Sequence, residues 1–358
     1  MNNKNLINYG LTERFVQEAT LYNSLFLARV SEQHRDLYKV IGEQGEMQAI
    51  ISGKLAHNAS LNKDFPAVGD WVMVDRVDSR AGNAVIHHVL SRKSVFERKA
   101  AGTSQTSQII AANVDVVFIC MSLNADFNLR RLERYLSIAW NSMTTPVIVL
   151  TKADLCDDLN IKLTEISTVS VGTDVVVCSS FDDTGYQNVA SYVTKGKTIA
   201  FIGSSGVGKS TLINRLLDQD ILATKDIRKD DKGRHTTTHR QLLLLPNGGI
   251  VIDTPGMREL QLESGNLSKS FEDILDLASR CKFKDCSHTK EPCCAVRNAI
   301  ESGELSEKRF ENYVKLQKEI GYEGLNSRQL EQEKIKSMFG GMGEMKQIIK
   351  HVKNKNKR

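Results

Sequence analysis

A glycine-rich run that ends in lysine and two hydroxyl residues is the strongest chemical signal in the sequence. Its members are Gly203, Ser204, Ser205, Gly206, Val207, Gly208, Lys209, Ser210 and Thr211. In this G-x-x-x-x-G-K-S pattern the glycines let backbone N–H groups surround a phosphate, and the following helix adds its partial positive charge. We expect Lys209 to reach the β- and γ-phosphates and Ser210 to bind Mg²⁺. The run predicts a nucleoside triphosphate site, and the alternative is a plain glycine-rich turn.

An acidic motif and a hydroxyl-rich segment follow the cradle. Asp253 opens the motif Asp-Thr-Pro-Gly, which ends at Gly256, and residues 234–238 read Arg-His-Thr-Thr-Thr. We expect Asp253 to hold Mg²⁺ through water and Gly256 to sense the γ-phosphate. Thr237 is the candidate for a further Mg²⁺ ligand in the triphosphate state. The alternative for residues 234–238 is a solvent-facing loop.

The motif T-K-x-D indicates which base the site selects. It consists of Thr151, Lys152, Ala153 and Asp154. The Asp154 carboxylate can accept both the N1–H and the 2-amino group of guanine, which adenine lacks, and the Lys152 stem can lie along the purine face. Ser179 and Ser180 follow another strand end, where a backbone N–H could meet the guanine O6. Alone the motif would recur by chance, but at the carboxyl end of a strand beside a phosphate cradle it predicts a guanine site.

Cysteines and one histidine crowd into a short segment near residue 290. The spacing C-x4-C-x-H-x5-C comprises Cys281, Cys286, His288 and Cys294. Three thiolates and one imidazole form a closed tetrahedral set that suits one structural Zn²⁺, which would supply the folding energy of a segment with few apolar residues. Cys293 could compete for the fourth position, and surface cysteines without a metal are the alternative.

The elements that must position these residues are strands and helices in alternation. Apolar runs that predict strands cover residues 114–121, 146–150, 174–179, 198–202, 241–245 and 250–252. Several are continuous Val, Ile and Leu runs, typical of strands covered on both faces, and helical stretches separate most of them, including 211–217 after the cradle. We predict a doubly wound α/β domain. Upstream, short alternating runs from Asp36 to Phe96 predict a small closed β-barrel.

Composition and charge limit the class of protein. The chain has 358 residues, a hydrophobic fraction of 41%, a charged fraction of 25% and a formal net charge of +5. These values fit a globular protein of two or three domains and exclude collagen, coiled coils and disorder. No run approaches the ~20 apolar residues of a membrane span and no secretory signal is visible, so we expect a cytoplasmic protein. Residues 341–358 carry all of the net positive charge, which favours either RNA binding or a solvated end.

The order of the motifs is permuted, because T-K-x-D precedes the cradle, whereas most GTPases have the reverse order. With the barrel, G-R-H-T-T-T, D-T-P-G and the Cys/His segment, the chain resembles the circularly permuted GTPases of the RsgA or YjeQ family over nearly its whole length. The resemblance implies an OB-fold, slow GTP hydrolysis with Mg²⁺, and stimulation by the small ribosomal subunit and its rRNA during late maturation. The expected parts are an N-terminal extension (1–35), the OB-type barrel (36–100), the GTPase domain (101–265), a zinc module with helices (266–340) and a basic tail (341–358).

Two positions depart from ordinary GTPases. Thr151 stands where asparagine is usual, which would cost one polar contact, and Met257 stands where many GTPases place a water-orienting glutamine. We therefore expect slow intrinsic hydrolysis. His235 or His239 could position the water, and a plain loop role is the alternative for each.

Three other functions are compatible with parts of the sequence. One is an RNA-binding scaffold with a passive guanine-nucleotide site, which Met257 favours and the cradle disfavours. Another is a P-loop ATPase or kinase, which Asp154 disfavours. The third is a permuted GTPase acting on the large subunit or on tRNA. We expect a monomer.

Overall fold

The computed structural model describes residues 4–34, 37–59, 62–80, 82–99, 107–124, 126–179, 183–220, 240–253 and 267–321. Several residues singled out above lie outside this part of the chain, namely Ser180, His235, Thr237, His239, Gly256, Met257 and the basic tail.

The N-terminal part is a closed barrel, preceded by two short helices. Helices α1 and α2 are Lys4–Asn8 and Glu13–Ala19, and helix α3 (Gly53–Asn58) lies between the third and fourth strands. The strands are β1 (Phe26–Gln33), β2 (Tyr38–Gly42), β3 (Gly45–Ile51), β4 (Trp71–Val74) and β5 (Ala84–Val89). Their order β1-β2-β3-β5-β4 closes through the pairing of β4 with β1, and only β3 and β5 are parallel. This confirms the OB-type barrel.

The barrel begins earlier in the chain than expected. Strand β1 lies within residues 1–35, which were assigned to an N-terminal extension, so that boundary is wrong. The sequence pattern does not predict this strand, because its buried positions include polar side chains. Arg29 is 1% exposed and Ser31 is 2% exposed, which removes the apolar alternation that marks a strand.

A hairpin connects the barrel to the next domain. It consists of β6 (Val95–Lys99) and β7 (Ser107–Ala112), which pair only with each other among the described strands. The hairpin therefore spans the expected boundary near residue 100.

The central domain is a six-stranded sheet covered by helices on both faces. Its strands are β8 (Val116–Ser122), β9 (Thr145–Thr151), β10 (Asp174–Val177), β11 (Thr198–Ile202), β12 (Arg240–Leu244) and β13 (Ile250–Asp253). The order is β10-β9-β8-β11-β13-β12, parallel except for β12, which runs antiparallel to β13. Separate apolar clusters cover its two faces, with helices α4 (Leu129–Asn141), α5 (Leu159–Ser167), α6 (Asp183–Ser191) and α7 (Lys209–Leu217). The doubly wound α/β fold is confirmed, and β12 differs in being an antiparallel strand.

The barrel and the central sheet are hydrogen-bonded into one sheet. Strand β1 pairs antiparallel with β12, with Glu32 opposite Gln241. The buried Arg29 guanidinium reinforces the junction, because it donates to the Thr198 hydroxyl at 2.9 Å and to the Gly69 carbonyl at 3.3 Å, and also contacts the Tyr9 carbonyl. Thr198 begins the strand that leads into the phosphate cradle.

Three helices follow the central sheet. They are α8 (Glu272–Ser279), α9 (Ala295–Ser302) and α10 (Glu307–Gly321), with the Cys/His segment between α8 and α9. The helices expected beside the Cys/His segment are therefore present. Helix α10 packs against α4 through Arg309 and Asn312, which both contact the buried Glu133 side chain.

Candidate functional site

The cradle is the turn between β11 and α7, and its backbone requires glycine. Gly203 has φ +145°, and a Cβ there would lie 2.3 Å from the Cys120 carbonyl oxygen, so any larger residue would collide with the neighbouring strand. Gly208 has φ +96° and precedes the first turn of α7. The Lys209 ammonium donates to the Gly203 carbonyl at 2.7 Å and the Ser204 carbonyl at 2.6 Å. The lysine is thus held inside the loop, with Ser210 and Thr211 in the helix turn that follows.

Thr151 joins the base-reading motif to the cradle. It ends β9, is 5% exposed, and its hydroxyl donates to the Val207 carbonyl at 2.6 Å. Both partners are buried, so this bond fixes the distance between the T-K-x-D loop and the phosphate loop. Threonine at this position therefore keeps a polar contact in place of the usual asparagine.

The two base-reading segments meet at the carboxyl ends of β9 and β10. The Ser179 hydroxyl donates to the Asp154 carboxylate at 2.5 Å, and the Ala153 N–H donates to the Cys178 carbonyl at 3.3 Å. Lys152 adopts a left-handed conformation with φ +58°, which turns the chain sharply after the strand. The structure thus brings Thr151, Lys152, Ala153, Asp154 and Ser179 to the sheet edge that carries the cradle.

Asp253 ends β13, the strand beside β11. Burial raises the pKa of its carboxyl group, and the nearby Lys209 ammonium partly lowers it. The Asp253 carboxyl therefore lies near the Lys209 ammonium, at the end of the strand beside the one that leads into the cradle.

The Cys/His segment brings its four ligand atoms together. The ligand atoms of Cys281, Cys286, His288 and Cys294 all lie within 4.8 Å of one another. The Cys281 and Cys294 sulfurs are 3.9 Å apart, and His288 Nδ1 lies 3.6 Å and 3.4 Å from them. A tetrahedral zinc with Zn–S of about 2.3 Å and Zn–N of about 2.0 Å has edges of about 3.5–3.8 Å. The donor set and its spacing fit one such metal ion.

Secondary contacts orient this cluster. The Arg297 N–H donates to the Cys294 sulfur at 3.4 Å, so the ligand also caps α9. The His288 ring packs edge-on against Phe310 of α10 at 5.9 Å between ring centroids. Cys293 is exposed, and its sulfur is not among the four ligand atoms that lie together.

A comparison with curated proteins finds relatives that match almost the whole chain. "Small ribosomal subunit biogenesis GTPase RsgA 2" of Lactiplantibacillus plantarum is 56% identical over 98% of each chain. The chain belongs to the RsgA GTPase family. A relative from Methanosarcina acetivorans, named small ribosomal subunit biogenesis GTPase RsgA, is 42% identical over 92% of this chain and 90% of its own length. The family model described as RsgA GTPase matches residues 89–263.

Solved structures of RsgA relatives share this fold. YjeQ from Thermotoga maritima matches with a TM-score of 0.61 at 30% identity, over 83% of this chain and 98% of that one. A second match, titled YloQ, a circularly permuted GTPase, has a TM-score of 0.59 at 26% identity, over 84% and 96% of the two chains. The permuted order inferred from the motifs is therefore confirmed, and the protein is a GTPase.

A second family model, described as ABC transporter, matches residues 186–357. That span includes the phosphate cradle but not the T-K-x-D motif. The RsgA relatives match the chain over the barrel, both motifs and the Cys/His cluster. We therefore attribute the transporter match to the phosphate cradle that the two families share. No helix in the described part of the chain is long and apolar enough to cross a membrane.

Sequence reasoning missed two arginines that support the RsgA site. Arg29 holds the start of β11, and Arg131 of α4 contacts the Ser204 hydroxyl in the cradle. Neither belongs to a motif, and each contacts a partner more than 70 positions away along the chain. Only the fold reveals such contacts.

Proposed function

We propose that this RsgA-family GTPase acts as a late assembly factor of the small ribosomal subunit, which stimulates it and whose rRNA it binds. The observation that carries the proposal is the joined site, in which Thr151 bonds the guanine-reading loop to the phosphate cradle. The relatives' names supply the ribosomal context. The OB-type barrel, which in other proteins binds oligonucleotides, supports RNA as the partner. We also propose that the protein is cytoplasmic and monomeric.

Each residue of the site has a proposed role in binding GTP and Mg²⁺. Asp154 accepts hydrogen bonds from guanine, with Lys152 along its face and the N–H groups near Ser179 and Ser180 at its O6. The backbone N–H groups of Gly203–Thr211 surround the phosphates, and Lys209 neutralises their charge. Ser210 and Thr237 bind Mg²⁺, Asp253 holds it through water, and Gly256 senses the γ-phosphate.

The Cys/His cluster holds one structural Zn²⁺ through Cys281, Cys286, His288 and Cys294. A catalytic role is excluded by chemistry, because four protein ligands leave no open coordination position. The metal would order the segment between α8 and α9 and so present a fixed surface next to the GTPase domain.

Co-sedimentation tests the choice of ribosomal partner. Purified protein is mixed with small subunits, large subunits or tRNA, in the presence of GDP or a non-hydrolysable GTP analogue. We expect binding to small subunits only, and tighter binding with the GTP analogue. Equal binding to large subunits or tRNA would favour the other permuted-GTPase roles, and binding that ignores the nucleotide would favour a passive scaffold.

A further inference from the structure

Helix α4 contacts the phosphate cradle at its first turn. Arg131 donates to both carboxylate oxygens of Asp126 at 2.9 and 2.8 Å, and the same nitrogen contacts the Ser204 hydroxyl. Burial raises the pKa of Tyr135, one turn further along α4, and the nearby Ser204 side chain partly lowers it. The Ser204 side chain is therefore turned toward α4, and the cradle's second residue is held from outside the cradle.

The same helix carries the docking site of α10. Glu133 is 2% exposed, and its carboxylate pairs with Arg309 and accepts from Asn312. Arg309 also donates to the Asp273 carboxylate at 2.8 Å through two nitrogens and to the Ser270 carbonyl at 2.8 Å. These bonds connect α4 to α8, which precedes the Cys/His segment, and to α10, whose Phe310 packs against His288.

We propose that Arg131 is a positioning residue for the cradle, and that through α4 the docking of α10 controls how tightly the cradle binds guanine nucleotides. Separation of α10 from α4 would leave the Glu133 charge buried without its partner, which strongly favours full docking over partial docking. Docking fixes α4 only two residues from Arg131, and Arg131 fixes Ser204. The inference concerns the GTPase site itself and does not depend on which ribosomal subunit is the partner.

A double-mutant cycle across the first contact tests the positioning role. Binding of a fluorescent GDP analogue and steady-state hydrolysis are measured for Arg131→Ala, Ser204→Ala and the double variant. We expect each single variant to weaken binding about fivefold, and the double variant to bind no worse than either one. KM should rise while kcat stays within about twofold, and Arg131→Lys should recover part of the affinity.

Arg130→Ala is the matched control. Arg130 is the neighbouring arginine on α4, and it pairs with Glu311 of α10 on the surface at 2.8 Å. The side chains of this pair are 50% and 58% exposed, so its loss should leave α10 docked through the buried Glu133 and should leave nucleotide affinity unchanged. An unchanged KM in a folded Arg131→Ala variant would overturn the positioning role of Arg131. A loss of nucleotide affinity in Arg130→Ala equal to that in Arg131→Ala would overturn it as well.

A second cycle tests the path from α10. Glu133→Gln weakens the pairing with Arg309 while keeping the side-chain shape, and Asn312→Ala is the milder alternative if the first variant loses its fold or its metal. We expect either change to weaken nucleotide binding about threefold in the native background and to have no effect in the Arg131→Ala background. Equal fold-changes in both backgrounds would show that α10 does not act on the cradle through Arg131, and no change in the native background would show that α10 docking does not affect nucleotide binding. Either result would overturn the path.

Discussion

A single hydroxyl group connects the T-K-x-D loop to the phosphate loop in this protein. The Thr151 side chain bonds the Val207 carbonyl inside a site where both residues are buried. A buried carbonyl that loses its donor costs about 1–3 kcal/mol. The bond therefore contributes both to stability and to the geometry of the nucleotide site, and these two effects can be separated.

Thr151→Val should lower nucleotide affinity about fivefold and the free energy of unfolding by about 1–2 kcal/mol. The matched control is Thr144→Val, since Thr144 is also buried and its hydroxyl donates to the Ala139 carbonyl at 3.0 Å away from the cradle. Urea unfolding of the control should show a similar loss of stability. Nucleotide titrations of the control should show an unchanged affinity. Equal affinity in the two variants would contradict the role of Thr151.

Asp154→Asn should weaken GTP binding about 100-fold, because an amide cannot accept both guanine donors with a charge-assisted bond. The same variant should bind xanthosine triphosphate better than the native protein does, since the amide can donate to the xanthine 2-oxygen. Asp174→Asn is the control, because Asp174 begins β10, at the end of the sheet opposite the T-K-x-D loop, and accepts from the Tyr192 hydroxyl at 2.9 Å. Competition titrations measure the affinities for GTP and for xanthosine triphosphate. An equal loss of affinity for both triphosphates in Asp154→Asn would contradict guanine recognition by Asp154.

At the scale of elements, sequence predicted best where apolar runs were continuous. Strand β11 occurs at the expected residues, and β8, β9, β10, β12 and β13 begin or end within about two residues of them. Strand β1 was missed because the junction with β12 buries Arg29 and Ser31, which resemble surface residues in a sequence. The antiparallel direction of β12 and the contact of α4 with the cradle depend on long-range pairing, which local patterns do not record.

Arg29→Ala should lower the free energy of unfolding by about 3 kcal/mol. The substitution removes the Arg29 donor from the buried Thr198 hydroxyl and from the Gly69 carbonyl, which keeps its bond from the Asn113 amide. It also opens space beside Trp71, whose ring centroid lies 5.4 Å from the guanidinium carbon. Arg80→Ala, which removes an exposed pair with Asp78, is the control and should show no measurable change. Similar denaturation midpoints for both variants would show that the junction does not depend on Arg29.

At the scale of the whole molecule, the metal cluster joins the C-terminal helices to the GTPase domain. His288 packs on Phe310 of α10, and α10 docks on α4. The spacing predicts the four residues whose ligand atoms the structure brings together, whereas only the structure separates Cys293 from them. Cys293 directly precedes Cys294, and only the three-dimensional grouping distinguishes them.

Cys294→Ser should abolish zinc binding and lower the melting temperature, because it removes one thiolate ligand from the four that fit the metal. Cys293→Ser is the matched control and should keep about one zinc per chain. Metal analysis of the purified variants, with thermal unfolding before and after chelation, measures both effects. Loss of zinc from Cys293→Ser with retention in Cys294→Ser would reverse the ligand assignment.

The measurement that tests the account most directly is GTP hydrolysis by the purified protein alone, with small ribosomal subunits and with large ribosomal subunits. We expect slow turnover alone, strong stimulation by small subunits only, and loss of that stimulated turnover in Lys209→Ala. Turnover that ignores small subunits, or that rises equally with large subunits, would contradict the proposal of a small-subunit assembly factor.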